Sequence, residues 1–172
     1  MATLRRAGPA DAADLTRLRA TMHRAMEDVP TPEWEARCRS DFRRRLGTST
    51  FAAYVVEEEG AVVSAGAGWL EEHLPSPYQL DGRRGHIASM STEPGARRQG
   101  HGRLVVGALM GWFGQLGVAR VDLRATPDGQ PLYEEFGFRV LGGATMAWTA
   151  PGSRPGMAAD SARGRRTPVR WW

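Results

Sequence analysis

The stretch STEPGARRQGHGR, Ser91–Arg103, decides how this chain is read. It opens where a β-type run, Gly85–Thr92 (GHIASMST), is stopped by Pro94 and Gly95. It closes where the strongest helical period of the sequence begins. From Gly100 onward, Leu104, Val105, Ala108, Leu109, Trp112, Phe113 and Leu116 cover one helix face, ended by Gly117. A strand passing into a helix through such a loop leaves the first helical amides without partners, at the positive end of the helix dipole, where a phosphate is stabilised by backbone alone. Glycine at positions 100 and 102 keeps side chains out of that approach, and the neighbouring arginines can add charge-assisted bonds. The same residues would also serve as a plain glycine loop before a surface helix. A Rossmann reading, with Gly100 and Gly102 as GxG and Asp122 on the next strand, fits poorly. Its third small position is Val105, and Asp122 lies early in its strand.

Upstream, Thr3–Arg6 reads as a short strand, and Gly8, Pro9 and Asp11 start a helix with Leu15, Leu18, Met22 and Met26 on one stripe. Thr31 and Pro32 begin a second helix, with Trp34, Cys38, Phe42 and Leu46 on its apolar face and Gly47 after it. Phe51–Val56 and Ala61–Leu70 are β-type runs joined as an antiparallel hairpin by Glu57–Gly60, and Glu71–Arg84 reads as a loop. Downstream, Val118–Arg124 reads as a strand, Gln130–Phe136 as a short helix, and Phe138–Leu141 and Ala144–Thr149 as a final strand pair. The order β-α-α-β-β-β-α-β-α-β-β predicts an α/β fold with a mixed sheet flanked by helices.

With 172 residues, 41% of them apolar, the chain suits one domain with a real core. We expect that domain over residues 1–149, and the Gly, Pro, Ser and Arg-rich segment 150–172 to be a disordered tail. That tail carries Arg154, Arg163, Arg165, Arg166 and Arg170 against Asp160, and so holds the whole formal excess of +4. The neutral remainder argues against a nucleic-acid partner, and a charged tail ending in Trp171 and Trp172 is usually a solvated appendage. No apolar run has the roughly 20 residues of a membrane span, and the N-terminus lacks a signal-peptide layout, so a cytoplasmic protein without a membrane partner is expected. Cys38 is the single cysteine, and His23, His73, His86 and His101 have no metal-binding spacing, so no metal centre is expected. All 23 basic residues are arginine, which points to a GC-rich bacterial source and excludes a Walker A loop or a lysine Schiff base.

The segment Arg97-Arg98-Gln99-Gly100-His101-Gly102 resembles the (Gln/Arg)xxGx(Gly/Ala) motif of the GNAT N-acetyltransferases. Thr126–Phe138, with Tyr133 before Gly137-Phe138, is similar to their second signature. The resemblance covers about residues 3–149 and is specific from Gly85 to Phe138. It implies a GNAT fold, with a mixed, mostly antiparallel sheet, and acetyl transfer from acetyl-CoA to a primary amine by direct attack. It implies pantetheine contacts at Met90, Ser91 and Thr92, and a pyrophosphate cradle of Arg97, Arg98, Gln99, Gly100, His101, Gly102 and Arg103. Tyr133 would protonate the departing thiolate, while His101 itself is expected to be an exposed residue and no catalyst. Thr126 stands where many members have a cofactor-binding asparagine, and Val121 where some have a catalytic glutamate. The base is therefore open among Glu71, Glu72, His73, His86 and Glu93, or water. Glu71, Glu72 and Asp81 would suit a cationic small-molecule or peptide acceptor. A non-catalytic acyl-CoA-binding sensor is the alternative, and a homodimer is compatible with either.

Overall fold

The computed structural model describes residues 1–77, 79–142, 146 and 148. A compact unit spans Met1–Arg139, and Val140–Trp172 forms a second unit. The first contains β1 (Thr3–Arg6), α1 (Ala12–Ala25), α2 (Pro32–Arg45), β2 (Phe51–Glu58), β3 (Ala61–Glu72), β4 (Arg83–Thr92), α3 (His101–Gln115), β5 (Val121–Leu123) and α4 (Gln130–Glu134). The five strands lie in sequence order, the first four antiparallel and β4–β5 parallel. The sheet is mixed, as the order of elements predicts, and mostly antiparallel, as the family resemblance implies.

Alternation along the central strands builds two apolar layers. Phe51, Ala53, Val55, Ala65 and Ala67 pack with Leu15, Leu18 and Phe42 of α1 and α2. Ala52, Val56 and Ile87 pack with Val105, Leu109, Trp112 and Phe113 of α3. The second layer is close because glycine lines it. A Cβ on Gly68 would stand 2.9 Å from the Phe113 ring, and one on Gly85 2.6 Å. The first helix is tied to β1 by an ion pair: Arg5 donates to both Asp11 oxygens at 2.8 and 2.7 Å, and Asp11 accepts from the Gly8 amide at 2.8 Å. The Arg5 guanidinium holds the Asp11 carboxyl below its ordinary range.

Several boundaries differ from the sequence reading. Glu71, Glu72, Arg83 and Arg84 belong to strands, because β3 and β4 keep pairing through Glu72↔Arg83. The loop is correspondingly shorter. The strand expected over Val118–Arg124 contracts to Val121–Leu123, since the end of α3 turns through Gly117 in the left-handed region and the Val118 amide still donates to the Phe113 carbonyl at 3.1 Å. Phe138–Leu141 forms no strand; Phe138 instead closes the turn after α4, its amide donating to the Tyr133 carbonyl at 3.2 Å. The strand expected over Ala144–Thr149 and the tail over 150–172 lie outside the described residues, Met146 and Trp148 excepted. No helix among the described residues is long and apolar enough to cross a membrane.

Candidate active site

The start of α3 is built to leave its amides free. After β4 a 3-10 turn, Pro94–Ala96, leads to Arg98 and Gly100, both in the left-handed region at φ 64° and 85°. Gly100 caps the helix with no side-chain hydrogen bond, and the first turn carries no acid. The first turns of α1 and α2 carry Asp14, and Glu33 with Glu35. The amides of His101, Gly102 and Arg103 therefore meet an uncompensated positive dipole end. Around them Arg97 donates to the Thr92 carbonyl at 3.1 Å and Gln99 to the Gly95 carbonyl at 3.4 Å, which shapes the loop, while Arg98 is exposed.

His101 corrects the sequence reading. It is the first residue of α3 and only 4% exposed, its ring turned under the helix with Nε2 3.3 Å from Glu58 Oε1. Neither ring nitrogen makes a hydrogen bond, so the contact with Glu58 is close but poorly aligned. Burial follows from the helical period, since His101 precedes Val105 and Leu109 by four and eight residues on the stripe that faces the sheet. Gly102 also has a reason other than ligand clearance: a Cβ there would stand 3.2 Å from Leu132 Cδ2.

That contact belongs to the docking of α4 on α3. Leu132 covers Gly102, Phe136 lies 3.6 Å from where a Gly107 Cβ would be, and Arg103 pairs with Glu135 at 2.5 Å. Tyr133 is carried on the same short helix, 8% exposed and edge-on to Phe138 at 6.0 Å. Burial pushes its phenol above the ordinary value, so it holds its proton through neutral pH. Thr126 is the local cap of this segment: its hydroxyl and carbonyl accept from the Gly129 amide at 3.2 and 3.0 Å.

Between these parts β4 is irregular in two ways. Ala65 pairs with Ser91 and Ala67 with Ala88, so Ser89 and Met90 oppose Gly66 alone, a β-bulge. Ser89 takes φ 56°, strained for a residue with a Cβ. The bulge exchanges faces: Met90 turns to the α3 side over Gly66 and Val105, and Ser89 turns to α1, where Arg19 donates to its hydroxyl. The second irregularity is an open edge. Strand β5 pairs with β4 only from Gly85 to Ile87, so among the described residues no strand covers that edge of β4 from Ala88 to Thr92. Ser91 and Thr92 are anchored from the other side, where Ser64 Oγ reaches the Ser91 carbonyl at 3.2 Å and Thr92 Oγ1 at 2.8 Å. The bulge, the open edge and the free amides of α3 thus share one end of the sheet.

The side of the sheet facing α1 carries the other polar candidates. Glu71 accepts from Trp69 Nε1 at 3.2 Å, lies 3.2 Å from His73 Nε2 and 3.9 Å from His86 Nδ1. The Trp69 and His86 rings are 4.7 Å apart. Glu93 pairs with Arg17, which also donates to the Val62 carbonyl at 2.7 Å. Glu72, next to Glu71 on β3, faces the other way. Asp81 accepts the Arg83 amide at 3.0 Å. The three acids expected to hold a cationic acceptor do not converge. Cys38 is half-buried, and burial pushes its thiol up, away from nucleophilic character. Arg19 and Ser89 were not singled out from the sequence. Among the described residues no group of three or more His, Cys, Asp or Glu side chains could hold a metal ion.

The fold has many counterparts among solved structures. A protein described as a predicted acetyltransferase with acetyl-CoA, from Clostridium acetobutylicum, superposes with a TM-score of 0.75 at 22% identity, over 87% of this chain and 95% of that one. A GCN5-related N-acetyltransferase from Ralstonia eutropha JMP134 gives 0.72 at 25% identity, over 86% and 99%. Glucosamine-6-phosphate N-acetyltransferase from Arabidopsis thaliana gives 0.67 at 20%, over 87% and 99%. No curated protein sequence matches. The sequence profile of the Acetyltransferase (GNAT) family matches residues 18–138, from within α1 through α4, and takes in β4, the start of α3, Tyr133 and Arg19. The chain belongs to the GNAT acetyltransferase family.

Proposed function

We propose that this protein transfers an acetyl group from acetyl-CoA to a primary amine by direct attack, without a covalent enzyme intermediate. The observation that supports the reading is the docking of α4: Leu132 covers Gly102 at the start of α3, Glu135 pairs with Arg103, and the buried, protonated Tyr133 is carried between them in sequence. In this reading the amides of His101, Gly102 and Arg103, with Arg97, Arg98 and Gln99 around them, hold the pyrophosphate. The open edge of β4 over Met90, Ser91 and Thr92 offers backbone groups to the amides of the pantetheine arm, as an added strand would be met. Tyr133 then supplies the proton to the leaving thiolate. Thr126, which caps its own turn, keeps a hydroxyl proton to donate to the cosubstrate. His86 shares its sheet face with Ser89 and packs against Trp69, the two rings tilted by 39°, and we assign it the proton that the amine sheds, directly or through water. The raised Cys38 thiol supports direct attack.

Calorimetric titration with acetyl-CoA, followed by a screen of amines for thiol release, tests the reading. We expect micromolar binding by the protein and binding at least tenfold weaker in Arg98→Glu, which reverses an exposed charge on the cradle loop. In Tyr133→Phe, binding persists while turnover falls about 10²–10⁴-fold. Binding without turnover of any amine would instead identify an acyl-CoA-binding sensor. No binding would sink both readings.

A further inference from the structure

Helix α1 carries three arginines, and two of them are neutralised. Arg17 pairs with Asp14 at 3.0 Å and with Glu93, and Arg24 pairs with Glu35 at 3.5 Å. Arg19 is different. It is partly buried, pairs with no carboxylate among the described residues, and donates from Nη1 to the hydroxyl of Ser89. A partly buried guanidinium with no carboxylate partner keeps hydrogen-bonding capacity to offer a ligand. A guanidinium has five donors, and a single neutral hydroxyl leaves its fork unmatched, although that fork fits the two oxygens of a carboxylate or phosphate.

Its position gives the charge a purpose. Ser89 is the strained residue of the bulge, turned to the α1 face, and the free amides of α3 lie on the opposite side of the sheet. A donor held at the start of α3 and along the edge of β4 leaves the α1 face for the acceptor. The acids on that face are already engaged, Glu93 by Arg17 and Glu71 by Trp69, and neither offsets Arg19.

We infer that Arg19 is a specificity residue for the acceptor: the amine that this protein acetylates also carries an oxyanion, a carboxylate or a phosphate, which the Arg19 fork binds beside the bulge. The inference rests on the acetyl-transfer reading for its chemistry but not for its test. Matched amines with and without the acid group, amino acids against their decarboxylated counterparts and amino-sugar phosphates against the free amino sugars, are titrated into the protein by calorimetry. The same pairs are then assayed for thiol release from acetyl-CoA. The protein should bind one class of anionic amine at least tenfold more tightly than its neutral counterpart, and the carboxylate and phosphate arms identify which. In Arg19→Met, which keeps the packing of the stem, that ratio falls toward one, chiefly through KM. In Arg19→Lys it recovers in part, and in Ser89→Ala, which keeps the charge, it persists. Equal handling of both members of every pair, or equal losses on both in Arg19→Met, overturns the proposal. If anionic amines bind through Arg19 but none is acetylated, the oxyanion site at Arg19 stands, while the acetyl-transfer reading and with it the acceptor role of Arg19 are overturned.

Discussion

Asp11 joins the first strand to the first helix through a single carboxylate, taking two bonds from Arg5 and one from the Gly8 amide. Replacing it with Asn keeps the shape and removes the charge, at a cost of about 2 kcal/mol near neutral pH. Because Arg5 depresses the folded carboxyl, the stability it confers is complete above the unfolded value of about 4 and is lost as pH falls through the lower folded one. Denaturant titrations should show the gap between the protein and Asp11→Asn closing toward pH 3; a gap that stays open there would refute the charge argument. At His86 the expected dependence runs through the acceptor. An amine protonated at pH 7 needs a base, and one already neutral does not. His86→Ala should therefore lower kcat/KM by about a hundredfold at pH 7 and by much less above the pKa of the amine. A deficit constant with pH would assign His86 to packing on Trp69. Single residues were unevenly legible. Gly100 was legible as clearance for a ligand and not as a left-handed residue, and Ser89 adopts that same region without being glycine. A signal for the bulge was present nonetheless: Ile87 and Met90 share the α3 side three residues apart, a spacing that an unbroken strand cannot produce.

At the scale of elements, the seat of α3 on the sheet is set by absent side chains. Phe113 lies against the backbone at Gly68 and Gly85, where a Cβ would meet ring carbons at 2.9 and 2.6 Å. Gly85→Val must push the helix outward or tilt the ring, and it should cost about 1–3 kcal/mol in denaturant unfolding. It should also weaken acetyl-CoA binding, because the amides at the helix start move with the helix. Stability loss with unchanged binding would mean that only the ring gives way. The long helices were legible because each has a stop or a cap in sequence, as Thr31 does for α2 by accepting from the Trp34 amide at 3.2 Å. Strand ends were less so, since pairing through Glu72↔Arg83 depends on a partner and not on local pattern. The burial of His101 was hidden for a similar reason: a histidine opening a helix looks polar until the sheet beneath it is known.

For the whole molecule, the sheet ends on one side at the four-residue strand β1, and on the other it is unfinished beyond Ile87 on β4, where the described residues supply no neighbour. A bare strand edge invites pairing with whatever extended chain it meets, including another copy of the same protein. In the proposed function the acyl donor occupies that edge, so cosubstrate concentration becomes a determinant of solution behaviour as well as of rate. At a hundredfold excess over Kd, a ligand that binds only the folded state adds about 2.7 kcal/mol of stability. Melting curves should shift upward by several degrees with acetyl-CoA, and light scattering on warming should begin later. A donor that left both unchanged while binding tightly would have to bind away from β4. Starved of acetyl-CoA, a cell would then hold this protein in its stickiest form, and its abundance would follow the supply of activated acetate.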